Sequence, residues 1–224
     1  MEDMISLIRA VIFALDGVLV NTDECHYRAW KQMAEDYGIP FDRKISRKLQ
    51  GMSYLDGLKL LLRKAERKYS PGEILALGAR KNDLFAEQIA DLDQKDILPG
   101  ALETVRALKK KGILVALGSA SENAPGILRR LHMENLFDAV ADGNQITHGK
   151  PDPEVFLLAA KKINLPPENC LVVEEGETGV EAARRCGMPV LAVGDAENCK
   201  DAAYHAPSLA QIDLAHMIES GAIS

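Results

Sequence analysis

The stretch RAVIFALDG, from Arg9 to Gly17, decides the fold. From Ala10 to Leu15 its residues are apolar without interruption, many of them β-branched or aromatic, which is typical of a strand buried on both faces of a parallel sheet. The run stops at Asp16 and Gly17, a turn signal. The sequence therefore predicts a buried strand with an acidic residue at its carboxyl end.

Further segments of the same character alternate with helical patterns along the chain. The other predicted strands are Ile113 to Leu117, Ala139 to Ala141, Cys170 to Val173 and Pro189 to Val193. The helical patterns, with apolar residues three and four apart, are Ala101 to Lys111, Glu122 to His132, Glu154 to Ile163 and Thr178 to Cys186. This alternation indicates an α/β fold with a Rossmann-like parallel sheet that helices cover on both faces.

A helical insertion interrupts this alternation after the first strand. Its clearest amphipathic patterns are Glu24 to Tyr37, Tyr54 to Tyr69 and Pro71 to Asp91. We therefore predict a core domain of residues 1–20 and 95–224 and a helical cap domain of residues 21–94. Ligands of such sheets bind beyond the carboxyl ends of the strands, and a cap inserted at that end would act as a lid.

Composition excludes several classes of protein. The 224 residues are 47% apolar and 27% charged, which suits one soluble domain with an insertion, and a net charge of −6 argues against nucleic acid as a partner. No apolar run approaches the roughly 18 residues that span a bilayer, so no membrane partner is expected. The four cysteines lack metal-ligand spacing and predict reduced, mostly buried thiols of a cytoplasmic protein. The polar helix faces are compatible with a monomer.

Polar side chains follow the predicted strands where the sheet would bind a ligand. They are Asp16 after the first strand, Ser119, Ala120, Ser121 and Asn123 after the second, Lys150 after the third, and Glu174 and Glu175 after the fourth. Carboxylate oxygens are the ligands that Mg²⁺ prefers, while hydroxyls, lysine and backbone N–H groups hold phosphate oxygens. The set therefore indicates a magnesium ion and a phosphate.

Each of these residues also has a purely structural interpretation. Ser119 and Ser121 could be the N-cap of a helix, and Lys150, which precedes a proline, could be a solvated loop residue. Glu174 and Glu175 could simply complement the dipole of the next helix. Their joint placement at one end of consecutive strands favours the functional interpretation.

The chain resembles the haloacid dehalogenase superfamily and, within it, is similar to the β-phosphoglucomutase branch. The resemblance runs over nearly the whole length and is carried by Val11, Ile12, Phe13, Leu15, Asp16, Gly17 and Val18; by His26, Tyr27, Arg28, Ala29 and Trp30; by Arg80, Lys81, Asn82 and Asp83; by Ser119, Ala120 and Ser121; and by Lys150, Pro151 and Asp152. It implies a core with an inserted helical cap, Mg²⁺ as cofactor and a sugar phosphate as ligand.

The resemblance also implies roles for single residues. Asp16 matches the general acid and base, and Ser119 and Lys150 match the groups that hold the phosphoryl oxygens. Substrate binding is assigned to His26, Trp30, Arg43, Gln50, Ser53, Lys81, Ala120, Ser121 and Asn123, and the magnesium ion to Asp16, Glu174 and Glu175. The position of the aspartate that forms the phosphoaspartate is occupied by Ala14.

The chain departs from the mutase pattern at more than one position. A methyl group at Ala14 cannot attack phosphorus, carry phosphate or bind magnesium. Gln50 and Tyr54 stand where the mutases carry a lysine and an arginine, so two cationic phosphate contacts are missing. Glu175 replaces a shorter aspartate, and Gly176 replaces a common serine.

Two origins for Ala14 stay open: an engineered substitution, or a chain that has lost the mutase chemistry. The additional departures favour the second. Three functional hypotheses follow. The first is a β-phosphoglucomutase-like protein, converting β-glucose 1-phosphate to glucose 6-phosphate, that Ala14 impairs. The second is a non-catalytic module that binds a sugar phosphate. The third is a weak sugar-phosphate phosphatase in which water replaces the nucleophile.

Overall fold

The computed structural model describes residues 8–49, 52, 54–63, 65 and 67–223. Its centre is a sheet of parallel strands in the order β3-β2-β1-β4-β5-β6. The strands are β1 (Ala10–Phe13), β2 (Leu114–Gly118), β3 (Ala139–Ala141), β4 (Cys170–Glu174), β5 (Val190–Ala192) and β6 (Tyr204–His205). The predicted α/β fold is confirmed. Strand β6 was not predicted, because two residues are too short to show a pattern.

Strand β1 lies in the middle of the sheet, fully buried, between β2 and β4. Phe13 is in register with Leu117 of β2 and with Val173 of β4, so the three strands end side by side. The chain continues from β1 toward β2 and β3 and then crosses back to β4, which makes β1 the point where strand order reverses. This is where open parallel sheets bind ligands.

Helices cover both faces of the sheet, as predicted. They are α5 (Ala101–Lys110), α6 (Ala124–Arg130) and α9 (Leu214–Glu219) on the face of Val11 and Phe13, and α7 (Glu154–Lys162) and α8 (Glu177–Arg185) on the face of Ala10 and Ile12. Gly112 and Gly187 follow α5 and α8 with φ of 74° and 76°, the left-handed conformation that ends a helix. Helix α9 was not predicted, because it is short.

The insertion after β1 is helical, as the sequence predicts. It contains α1 (Asp23–Asp36), α2 (Arg43–Leu49), α3 (Tyr54–Leu62) and α4 (Pro71–Gln88). Helix α2 was not predicted, and α3 ends at Leu62 rather than Tyr69, because the charged residues that follow offer no apolar face. Helix α4 begins with a capping box, in which Ser70 accepts the N–H of Glu73 and Glu73 accepts that of Ser70. The domain boundaries stay a prediction.

Helices α1 and α4 pack against each other and form the body of the cap. Helix α4 buries Leu77, Lys81, Leu84 and Phe85, which recur at the spacing of one helical face. Lys81 is therefore a cation on an apolar face, and it is only 4% exposed. Lysines are almost never fully buried without a partner, so this position indicates a specific electrostatic role.

The described residues include no helix with the length and apolar character needed to cross a membrane. All four cysteines are free thiols. Cys170 is buried, whereas Cys25, Cys186 and Cys199 are half-buried. The prediction of mostly buried thiols is therefore right for Cys170 alone.

Candidate active site

A cavity of about 200 Å³ lies between the carboxyl ends of β1, β2 and β4 and the helices of the cap. From the core it is lined by Ala14, Asp16, Ser119, Ala120, Ser121, Glu122, Lys150, Glu174, Glu175 and Asp195. From the cap it is lined by His26, Tyr27, Trp30, Arg43, Arg47, Tyr54, Lys81 and Asn82, among others. Residues that are far apart in sequence and follow different strands therefore share one cavity.

Glu174 and Lys150 form a buried ion pair at the floor of this cavity. The Lys150 ammonium donates to Glu174 Oε1, and the side chains are only 3% and 1% exposed. Glu174 Oε2 also accepts the N–H groups of Glu175 at 2.9 Å and of Gly176 at 3.1 Å. Burial tends to raise the pKa of Glu174, but the Lys150 ammonium, the Glu175 side chain and the Gly176 N–H bring it below its usual value. The solvated-loop interpretation of Lys150 is wrong, because a partner 24 residues away holds it in the interior.

Two glycines make room for the paired glutamates. A Cβ on Gly179 would lie 2.0 Å from Glu174 Oε1, and a Cβ on Gly17 would lie 2.3 Å from Glu175 Cγ. Gly17 also has a φ of +69°, which glycine adopts without strain. The longer side chain of Glu175 therefore fits because it lies against bare backbone. Burial and the neighbouring charge of Glu174 raise the pKa of Glu175 well above its usual value.

Asp16 is held by two residues at the start of the cap. The hydroxyl of Thr22 donates to Asp16 Oδ1 at 2.5 Å, and His26 Nε2 lies 3.6 Å from the same oxygen. His26 Nδ1 accepts a hydrogen bond from Lys81 Nζ at 3.3 Å, and its ring stacks on Phe85 with the centroids 3.9 Å apart. A chain of polar contacts thus runs from the cap through His26 to Asp16.

The protonation states along this chain follow from its geometry. Burial lowers the pKa of Lys81 to about 8, and burial together with the Lys81 charge lowers the pKa of His26. Burial tends to raise the pKa of Asp16, but the contacts with His26 and Thr22 bring it below its usual value. Because an ammonium only donates, Nδ1 of neutral His26 is the acceptor and Nε2–H faces Asp16. Asp16 is therefore an ionised carboxylate at neutral pH.

The serines after β2 build a turn with their hydroxyl oxygens. Ser119 Oγ accepts the N–H of Ser121, and Ser121 Oγ accepts the N–H of Asn123, each at 3.2 Å. Helix α6 begins only at Ala124, so Ser119 is not its N-cap and that interpretation is wrong. Both hydroxyls keep a proton to donate toward the cavity.

The remaining predicted substrate contacts differ in position. His26, Trp30, Lys81, Ala120 and Ser121 line the cavity. Arg43 also lines it, but its guanidinium is paired with Glu24 at 2.8 Å and lies 3.8 Å above the ring of Tyr27. Asn123 does not line the cavity, so the prediction that it contacts substrate directly is wrong. Its side chain instead donates to Asn82 Oδ1 at 2.7 Å, and Asn82 does line the cavity. Gln50 and Ser53 lie outside the described residues.

Sequence reasoning missed several lining residues. Arg47, Asn82, Glu122 and Asp195 line the cavity, and none was selected as a site residue. Asn82 follows Lys81 on α4, and Glu122 follows Ser121, so adjacency to predicted residues was the available signal.

Ala14 forms part of the cavity wall directly after β1. It is 3% exposed, and its N–H donates to the carbonyl of Val173 at 3.0 Å, which fixes its backbone to β4. The position is therefore held in the site although the side chain is a methyl group.

The predicted metal ligands are carboxyls of suitable chemistry, but other groups already engage them. Glu174 is paired with Lys150, and Asp16 with Thr22 and His26. Across the described part of the chain, the group of three potential ligands with atoms within 4.8 Å of one another is His148, Asp152 and Glu154, none of which lines the cavity. Hard carboxylate oxygens suit Mg²⁺, but the set lacks the ligand that an acid at position 14 would add.

A family model for haloacid dehalogenase-like hydrolases matches residues 8–187. The chain belongs to this haloacid dehalogenase-like family. The chain is 40% identical to β-phosphoglucomutase of Bacillus subtilis (strain 168) over 191 residues, 84% of each protein. It is 34% identical to the phosphorylated carbohydrates phosphatase of Thermotoga maritima over 182 residues, 80% of this chain and 82% of the relative.

The fold of this chain is also similar to that of a solved β-phosphoglucomutase. The crystal structure of β-phosphoglucomutase from Clostridium difficile superposes with a TM-score of 0.89 at 34% identity, covering 95% of this chain and 96% of that one. The resemblance seen in the sequence is confirmed. Within the haloacid dehalogenase-like family, the chain belongs with the β-phosphoglucomutases and sugar-phosphate phosphatases.

Proposed function

We propose that this protein binds a hexose phosphate between core and cap and does not transfer the phosphoryl group through a phosphoaspartate. The observation that carries the proposal is Ala14, a methyl group fixed at the wall of a cavity that also contains Asp16, Ser119 and Lys150. The family relatives act on sugar phosphates by name, which supports the ligand class. Without a nucleophile, the conversion of β-glucose 1-phosphate to glucose 6-phosphate is impaired.

Phosphate binding is assigned to Ser119 and Lys150. The Ser119 hydroxyl retains its proton for donation, because its oxygen is the acceptor of the Ser121 N–H. Lys150 uses one of its three N–H donors on Glu174 and has two left for phosphate oxygens. Charge-assisted hydrogen bonds in a buried site are stronger than neutral ones, so these groups anchor the phosphate end of the ligand.

Phosphotransferases of this family generally use Mg²⁺. In this chain Glu174, Glu175 and Asp16 would hold the ion together with phosphate oxygens. When bound, Mg²⁺ neutralises phosphate charge. We expect its affinity to be weaker than in a site with an acid at position 14, because magnesium is usually fixed by one or two carboxylates plus phosphate.

Slow hydrolysis is a second candidate function, and Asp16 is the observation that favours it. Its ionised carboxylate lies in the cavity and is held by Thr22 and His26, so it could accept a proton from an attacking water molecule. A positioned general base contributes roughly 10²- to 10⁴-fold to a rate. The result would be a weak sugar-phosphate phosphatase.

The experiment is a comparison of the unmodified chain with Ala14→Asp and Ala14→Asn. Asparagine has the shape of aspartate but is not a nucleophile, so it controls for side-chain volume. With β-glucose 1-phosphate and Mg²⁺, we expect Ala14→Asp to form glucose 6-phosphate about 100-fold faster than either other protein, because it restores an attacking carboxylate. Calorimetry of the unmodified chain should show heat of binding for hexose phosphates.

Several outcomes would contradict the proposal. Mutase activity of the unmodified chain equal to that of Ala14→Asp would refute the role of position 14. No binding of any hexose phosphate would refute the ligand class. If the unmodified chain releases inorganic phosphate and the single substitution Asp16→Asn abolishes this release, the second candidate is established instead.

A further inference from the structure

Glu122 brings a negative charge to the cavity where it meets cap helices α3 and α4. It lies in the turn after β2, and it lines the cavity together with Tyr54 of α3 and Asn82 of α4. None of the three has a role in the phosphate anchor at Ser119 and Lys150. The chemistry of this second group of side chains limits what the other end of the ligand can be.

A network of amides fixes the Glu122 carboxylate. Asn82 Nδ2 donates to Glu122 Oε2 at 3.1 Å, and Asn123 Nδ2 donates to Asn82 Oδ1 at 2.7 Å, which sets the orientation of the Asn82 amide. Asn144 Nδ2 donates a hydrogen bond to the backbone carbonyl of Glu122 at 2.8 Å. Oε1 of Glu122 makes no hydrogen bond to the part of the chain that the structure describes, so it remains an acceptor for a ligand.

Tyr54 lies beside this carboxylate as a neutral phenol. Its ring lies on Gly78 of α4, where an added Cβ would be 2.7 Å from Tyr54 Cε2. Gly78 and Asn82 are one turn apart on the same helix, which places Tyr54 on the Asn82 side of α4. Burial and the charge of Glu122 both raise the pKa of Tyr54, so the hydroxyl keeps its proton.

The charge of this group does not suit a phosphate. Glu122 forms no ion pair with any described residue. The buried cation Lys81 donates to His26, and its charge interacts with the carboxylates of both Asp16 and Glu122, so it is already balanced by two acids. A second phosphate would meet a fixed carboxylate, and like charges brought together inside a cavity are strongly unfavourable. Hydroxyl groups are matched instead, because they can donate to Glu122 and exchange hydrogen bonds with the Tyr54 phenol.

We propose that Glu122, with Asn82 and Tyr54, forms a subsite for the hydroxyl groups of a neutral sugar end, so that the chain binds a sugar monophosphate more tightly than a sugar bisphosphate. This inference rests on the proposed function, since it takes the phosphate to be anchored at Ser119 and Lys150. It adds the class of ligand and the residue that selects it.

Arg47 is the residue that would oppose this selection. It lines the cavity from α2, it is exposed, and it has no ion-pair partner among the residues that the structure describes. Were it to bind a second phosphate, a bisphosphate would be preferred despite Glu122. The experiment therefore includes Arg47→Ala.

The test is calorimetry with glucose 6-phosphate and glucose 1,6-bisphosphate as probes. We expect the unmodified chain to bind the monophosphate about tenfold or more tightly than the bisphosphate. Glu122→Lys should reverse this preference, and Glu122→Gln, which keeps the shape and removes the charge, should reduce it. Glu134→Lys is the control for net charge, because Glu134 is a solvent-exposed residue of the core domain and does not line the cavity. This variant should leave the preference unchanged.

The possible failures can be told apart. A bisphosphate that binds the unmodified chain as tightly as the monophosphate, and loses affinity in Arg47→Ala, overturns the hydroxyl subsite but leaves the proposed function intact. The same holds if both Glu122 variants keep the original preference while thermal unfolding shows that they are folded. If neither probe binds, the proposed function and this inference both fail.

Discussion

Replacement of Lys150 by methionine tests whether the buried ion pair holds the floor of the cavity. The change leaves Glu174 buried with an uncompensated charge, while methionine fills much of the volume of the lysine stem. Both side chains are almost completely buried, at 3% and 1% exposure, so bulk water compensates little for the lost ammonium. Breaking a buried pair by removing one partner costs about 3 to 5 kcal/mol of unfolding free energy.

The assay is urea denaturation of the unmodified chain, Lys150→Met, Glu174→Gln and the double variant. The double variant should be less destabilised than the sum of the two single variants, with a coupling of about 0.5 to 3 kcal/mol, because it leaves neither charge alone. Lys111→Met is the matched control, since Lys111 pairs with Glu219 at 2.8 Å while both side chains are about half exposed. That exposed pair should contribute at most about 1 kcal/mol.

The reasoning is refuted if Lys150→Met destabilises the protein no more than Lys111→Met. It is also refuted if the effects of the two single variants at the buried pair simply add. Either result would mean that Lys150 and Glu174 do not depend on each other in the folded protein.

Two further predictions concern stability and titration away from the ligand. Gly179→Ala should lower the free energy of unfolding by about 1 to 3 kcal/mol, because the Glu174 carboxylate must move from a Cβ that would lie 2.0 Å away. Gly126→Ala, at a helical position with open space around it, should leave stability equal or higher, and equal losses at both glycines would contradict the steric explanation. The pKa of Glu73 is lowered to about 2, first by the Ser70 N–H. The hydrogen bonds that the ionised Glu73 side chain accepts should therefore stabilise the folded protein fully above the usual pKa, and this stabilisation should disappear as the pH falls through about 2. Carbon NMR titration of the Glu73 carboxyl measures this midpoint, and a normal midpoint would show that the capping box does not form in solution.

The sequence predicted the centre of the fold because its signals are local. The run before Asp16 is short, apolar without interruption and ended by a turn signal, which is typical of a buried strand, and the later strands repeat that character. What escaped prediction was short: β6 has two residues, and α9 and α2 have six and seven, too few to establish a periodic pattern.

The site was predictable where residues follow strands directly and less so where partners come from distant segments. Asp16, Ser119 and Glu174 line the cavity as expected from the ends of β1, β2 and β4. The burial of Lys150 depends on Glu174, 24 residues away, and no local pattern shows it. The orientation of Glu122 depends equally on Asn82 of the cap, so its position in the cavity could be recognised only in three dimensions.

Consecutive residues of α4 join the cap to the chemistry of the core. Lys81 reaches Asp16 through His26, and Asn82 holds Glu122 directly. A movement of α1 and α4 together away from the sheet would therefore separate His26 from Asp16 and Asn82 from Glu122 at once. Such a movement would expose the carboxylates of Asp16 and Glu122 to solvent together, so the position of the cap sets the solvation of both acids.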